Sequence, residues 1–125
     1  MKITTFNPQI VTNNADSIVK LFEELGFEKR HLQEGIGTLD VTGIRMKDAN
    51  GFNLDISQPN VSIPQDTVSI RMNVDNFEEA YEILISHGFK NIYGDRALAV
   101  KTSKFAMMIS PSGYMINLVE HIKNN

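Results

Sequence analysis

Asn14-Ala15-Asp16-Ser17-Ile18-Val19-Lys20-Leu21-Phe22-Glu23-Glu24-Leu25-Gly26-Phe27 reads as a helix complete with its start and stop signals. Asn14 offers a side-chain oxygen to the first turn. Ile18, Leu21, Phe22 and Leu25 recur at helical spacing, and Gly26 supplies the left-handed residue that ends the helix. The same grammar returns at an offset of 62 residues (88 − 26; 113 − 51): Asn76 with Glu79 resembles a capping box, Phe77, Ala80, Tyr81 and Leu84 form the stripe, and Gly88-Phe89 closes it. Without a gap, Ile10 falls on Met72, Met46 on Met108, Gly51 on Gly113, Phe52 on Tyr114, Leu54 on Ile116, Asp55 on Asn117 and Ile56 on Leu118. The chain is therefore a duplication, with module one over residues 1–60 and module two over 65–125.

Extended segments flank each helix. Residues 3–12 alternate, with Phe6, Pro8, Ile10 and Thr12 on one face and Thr5, Asn7, Gln9 and Val11 on the other; residues 68–74 do the same in the second half. Shorter strands are expected near 27–32, 36–47 and 52–57, with Asn50-Gly51 as the hairpin turn before the last. Ser110-Pro111-Ser112-Gly113 is the matching turn before residues 114–121. Residues 91–103 read as strand or loop, with a turn at Gly94-Asp95-Arg96, and Pro59 and Pro64 bracket a linker. The order βαβββ, linker, βαβββ defines an α+β fold of two tandem modules. A helix covering one face of each sheet takes Phe52, Leu54 and Ile56 toward it, and Tyr114, Ile116 and Leu118 in the second copy. The opposite parity then supplies Asn7, Gln9, Asp55, Ser69, Arg71, Asn73 and Asn117 to a polar cleft.

Composition narrows the function. One domain with a sizeable core suits 125 residues of which 42% are apolar. No apolar run is long enough for a bilayer, and the start lacks a secretory pattern, so a cytoplasmic protein without a membrane partner is expected. With no cysteine, thiol nucleophiles and Cys-based zinc sites are excluded. A net charge of −3 with no Lys/Arg cluster argues against nucleic acid as a partner.

The stretch Asn14 to Glu28, together with Ser110-Pro111-Ser112-Gly113-Tyr114-Met115-Ile116-Asn117-Leu118-Val119-Glu120-His121, resembles the vicinal oxygen chelate superfamily of glyoxalases, bleomycin resistance proteins, fosfomycin resistance enzymes and extradiol dioxygenases. The resemblance spans essentially the whole chain. It implies a glyoxalase-like fold whose sheets curl around a shared cleft, commonly within a homodimer. It also implies a divalent metal held by His, Gln or Glu of the first and last strands of both modules. The positions matching those ligands here are Asn7, Asp55, Ser69 and Asn117, or Gln9 and Arg71 if the first-strand register is moved by two. Asp55 alone among the first four is a carboxylate, and neutral amides and a hydroxyl compensate little of a metal ion's lost hydration. The expected site is therefore metal-free, with no cofactor.

Asp55 and Arg71 are expected to face the cleft as an internal salt bridge, with Arg71 also the handle for an anionic ligand. His121, on the Asn117 parity, is a further ligand-binding candidate; His31 reads as a rim residue, and His87 as a helix C-terminal residue with a structural role. Tyr93 and Phe105 are the loop-side aromatics available for stacking. The reading that follows is a glyoxalase/bleomycin resistance-like protein that binds a small polar or anionic molecule, with no catalytic residue assigned. Two alternatives stay open: a metal-dependent lyase or transferase using Asp55 with nonstandard ligands, and a non-catalytic structural or interaction module.

Overall fold

A computed structural model describes residues 1–36, 41–92, 94, 98–100 and 103–121. Two compact units emerge, one of residues 7–68 and one of residues 1–6 with 69–125. In the first, β1 (Ile3–Val11, from residue 7 onward) runs parallel to β4 (Asn53–Gln58), β4 pairs antiparallel with β3 (Val41–Lys47), and β3 with β2 (Glu28–Ile36). Helix α1 (Ala15–Glu24) lies between β1 and β2 in sequence. In the second unit β5 (Thr67–Val74) runs parallel to β9 (Met115–His121), which pairs antiparallel with β8 (Ser103–Ile109). Here two short pieces, β6 (Lys90–Asn91) and β7 (Leu98–Val100), both pair with β8 and take the place that β2 fills in the first copy. Helix α2 (Phe77–Ser86) follows β5. The α+β architecture of two βαβββ copies read from the repeat is thus present. The turn expected at Gly94-Asp95-Arg96, like Tyr93, lies in part or wholly outside the described residues.

Each helix begins where its cap predicts. Asn14 Oδ1 accepts the Ser17 amide at 3.4 Å and Asn76 Oδ1 accepts the Glu79 amide at 3.1 Å. The return arm of the expected capping box is altered: Glu79 Oε2 accepts from the Asn76 side-chain amide at 3.4 Å. Gly26 and Gly88, at φ +105° and +87°, end the helices in the left-handed region.

A second device ties each helix to the last strand of its copy. Gln58 Oε1 accepts the Ala15 amide at 2.8 Å, and 62 residues on Glu120 Oε1 accepts the Phe77 amide at 2.6 Å. Orphan first-turn N–H groups are thereby satisfied, and the Glu120 carboxylate also meets the positive end of the α2 dipole.

The core of the first unit gathers Ala15 and Val19 of α1 against Ile44, Met46, Leu54 and Ile56, and that of the second gathers Phe77, Ala80 and Leu84 of α2 against Met72, Val74, Ala106, Met108 and Leu118. Leu54, Ile56 and Leu118 are buried on the helix side, as their parity requires, and Ile116 packs partly buried beside them. Phe52 and Tyr114 depart from expectation at 67% and 52% exposure. Both precede the first paired residue of their strands, Asn53 and Met115, and belong to the turns. The first six residues cluster with the second unit through Lys2, whose amide donates to Asp75 Oδ1 at 2.6 Å and whose carbonyl accepts the Asp75 amide at 3.1 Å.

Replacing Glu120 with Ala removes a charge-assisted bond, and replacing Gln58 with Ala removes a neutral one. Chemical denaturation is expected to show a loss of about 1.5–3 kcal/mol for Glu120→Ala and about 0.5–1.5 kcal/mol for Gln58→Ala. Equal losses would show that the carboxylate adds nothing to the α2 cap.

Candidate functional site

The β3–β4 hairpin determines what faces Asp55. Asp48 N–H donates to the Phe52 carbonyl at 3.0 Å, and Gly51 at φ +89° completes a three-residue loop. Pairing then runs Lys47 with Asn53, Met46 with Leu54 and Arg45 with Asp55. On the other side of β4, Gln9 is the register partner of Asp55. Because Met46 and Leu54 point into the α1 core, Arg45 and Asp55 share the opposite face.

Asp55 is 4% exposed, yet its carboxylate is bonded at both oxygens. Arg45 Nε donates to Oδ1 at 3.0 Å and Arg45 Nη2 to Oδ2 at 3.4 Å, while Asn7 Nδ2 donates to Oδ2 at 2.9 Å. The two-pronged arginine contact is the geometry in which a guanidinium compensates a buried carboxylate best. The expected pairing of this carboxylate with Arg71 does not form; the guanidinium that holds it is Arg45, supplied by the neighbouring strand of the same hairpin. The signal was available in the turn, since a loop closed by residues 48 and 52 places 45 opposite 55.

In the second module the equivalent closure, Ser110 N–H to the Tyr114 carbonyl at 2.8 Å, sets Met107 opposite Asn117. Arg71 is the parallel register partner of Asn117, and its Nε donates to Asn73 Oδ1 at 3.1 Å. An ion pair in one copy is thus a methionine and an amide in the other. The anticipated cleft-lining set divides by burial: Asn7, Gln9, Asp55, Ser69 and Asn73 are buried, Arg71 and Asn117 are half-buried, and His121 at the end of β9 is exposed. Of the aromatic candidates, Phe105 is half-buried on β8 opposite Leu98. His31 sits exposed on β2 opposite Arg45, and His87 caps the C-terminus of α2. Met108 is wholly buried in the α2 core, whereas Met107 and Met115 are half-buried.

These donors do not fit the divalent ion that the resemblance implies. In the first module the only anionic donor of the pair Asn7 and Asp55 already holds a guanidinium. An ion binding the same oxygens would meet that cation at close range, at a cost of about 4 kcal/mol per unit of its charge at about 4 Å separation. In the second module Ser69 and Asn117 offer a hydroxyl and an amide, without an anionic ligand. Among the described residues no group of three or more His, Asp or Glu converges.

The Arg45–Asp55 pair is open to a double-mutant cycle that copies the second module. Arg45→Met strands a buried carboxylate and is expected to cost about 2–4 kcal/mol, toward the low side because the Arg45 side chain is 33% exposed. Adding Asp55→Asn should recover at least about 1 kcal/mol of that loss. A double variant as unstable as the sum of the singles would remove the pair as the basis for this geometry.

No protein-family model and no curated protein matches the chain. Solved structures do. A hypothetical protein from Bacillus halodurans C-125 superposes with a TM-score of 0.72 at 12% identity, covering 100% of this chain and 99% of that one. Methylmalonyl-CoA epimerase from Mycobacterium tuberculosis gives 0.66 at 15% identity, over 94% of this chain and 88% of that one. A glyoxalase/bleomycin resistance protein/dioxygenase superfamily member from Vibrio splendidus 12B01 gives 0.59 at 14% identity, over 95% and 98%. With its paired βαβββ copies and this similarity along nearly its full length, the chain has the vicinal oxygen chelate fold.

Proposed function

We propose that the protein binds a small polar or anionic molecule without a divalent metal, using the sheet face opposite the helix. The observation that carries this reading is Asp55: the one carboxylate among Asn7, Asp55, Ser69 and Asn117 is engaged by Arg45 and Asn7 instead of being available to an ion. On the corresponding face of the second module Arg71 is half-buried, set by Asn73, and carries the bidentate donor that a carboxylate or phosphate requires. His121 and Asn117 share its parity.

Two measurements test the reading. Titration with zinc, nickel, manganese and iron(II) is expected to show no stoichiometric binding; a one-to-one site of about micromolar affinity or better, lost in Asp55→Ala, would reverse it. A thermal-shift screen of small organic anions should return ligands whose stabilisation disappears in Arg71→Ala, because a ligand that binds only the folded state raises its stability by mass action. The screen includes methylmalonyl-CoA, the substrate named for the epimerase of like fold. Identical hits for wild type and Arg71→Ala would remove Arg71 from the site.

A further inference from the structure

The repeat also breaks sharply beside the Arg45–Asp55 pair, toward the β3–β4 turn. At the 62-residue offset Arg30 corresponds to Ile92, Arg45 to Met107, Lys47 to Ile109 and Asn53 to Met115. One copy is apolar at every one of these positions where the other is cationic or polar. In the first unit the four polar residues come together, with Asp48 and Asn50, around an open groove of about 780 Å³ beside the β3–β4 turn. That volume lies within the range of small-molecule sites, about 300–1,000 Å³.

Three features build the groove. Pairing along β2 and β3 runs Glu28 with Lys47 and Lys29 with Met46, then skips to His31 with Arg45, so Arg30 is the extra residue of a β-bulge. A bulge re-aims a side chain that regular alternation would place elsewhere, and here Arg30 joins Arg45 and Lys47. Asp55 holds Arg45 through Nε and Nη2, which fixes the guanidinium plane while the fork retains further N–H donors. Lys47 lies along the turn, its Cε 3.9 Å from the point where a Cβ on Gly51 would stand.

The acidic residue in the lining is engaged by the loop itself. Asp48 Oδ1 accepts the amides of Asn50 at 3.0 Å and Phe52 at 2.8 Å, so its carboxylate is turned to the loop backbone. Arg30 pairs with Glu28 at 3.3 Å, but both side chains are mostly exposed, and pairs of that kind contribute little and exchange readily for a better anion. Three of the lining side chains, Arg30, Arg45 and Lys47, carry positive charge against the one carboxylate of Asp48, and Lys47 is without an ion pair among those found for the described residues.

We propose that this groove is a binding site for a phosphate-bearing small molecule. A tetrahedral dianion suits separate cationic groups converging from two strands, with Arg30 and Lys47 flanking the preset Arg45 and the Asn50 and Asn53 amides able to donate beside them. The residues are distinct from Arg71 and its neighbours, so the inference goes beyond the reading given above.

Inorganic pyrophosphate and AMP, titrated into the labelled full chain and followed by amide ¹H–¹⁵N spectra, test it. Saturable shifts are expected at Lys47, Asn50, Gly51 and Asn53, weakening with added salt. The double variant Arg30→Ile with Lys47→Ile, which copies the second module at exposed positions, should bind about tenfold or more weakly with the fold intact in its spectrum. The shifts at these four amides should persist in Arg71→Ala, whatever that variant does to anion binding on the second module. The proposal is overturned by an absence of saturable shifts, by unchanged affinity in the double variant, or by citrate binding as tightly as pyrophosphate. Loss of binding in Arg71→Ala with retention in the double variant would also overturn it, and would locate anion recognition on the second module instead.

Discussion

The register of two hairpins governs the remainder of the structure. Asp48 closing on Phe52 and Ser110 closing on Tyr114, each with a left-handed glycine one residue earlier, decide which residues of the adjoining strands face each other. A slip by one residue would turn Leu54 and Ile56 out of the α1 core and drive Asp55 into it. The apolar core and the polar face are thus one choice, made at the turn. The same choice delivers Arg45 to Asp55 in one copy and Met107 to Asn117 in the other.

Much of this was legible in the residues because its causes are local. Asn14 and Asn76 cap helices whatever surrounds them, Gly26 and Gly88 end them, and the alternation along β1 and β5 assigns faces by period alone. The partner of Asp55 was not local in that sense. Finding it requires the exact closure of the turn, and the same one-residue detail removed Phe52 and Tyr114 from the faces assigned to them. Burial was harder still to read: Gln9 and Ser69 look like polar cleft residues by parity, yet each is almost fully enclosed. Parity states which side a residue takes, not how much of it water reaches. The bulge that displaces Arg30 also has no sequence signature, since nothing in Glu28-Lys29-Arg30-His31 distinguishes a regular strand from a bulged one.

Duplication separates the demands of folding from those of binding. Positions that agree between copies are caps, turn glycines, core residues and the last-strand acceptors Gln58 and Glu120, which serve the same geometric purpose twice. Positions that disagree include several on the opposite face. There the first copy is rich in ionic groups around Arg45, and the second places Arg71 between Asn73 and Asn117. Such asymmetry costs the fold little, because neither helix packs on that face.

The grip of Asp75 on Lys2 has a consequence for how the chain reaches its final form. That contact joins residues 73 apart in sequence, so the unit made mainly of residues 69–125 is discontinuous. During synthesis Lys2 waits for a further 73 residues before its partner exists. Contacts of this span raise the contact order and slow the search for the native pairing. A single cleavage in the segment 59–66 would also fail to yield two self-sufficient pieces, since it leaves residues 1–6, which cluster with the second unit, on the other fragment. Although the sequence repeats end to end, the compact units do not follow the repeat, because residues 1–6 of the first copy cluster with residues 69–125.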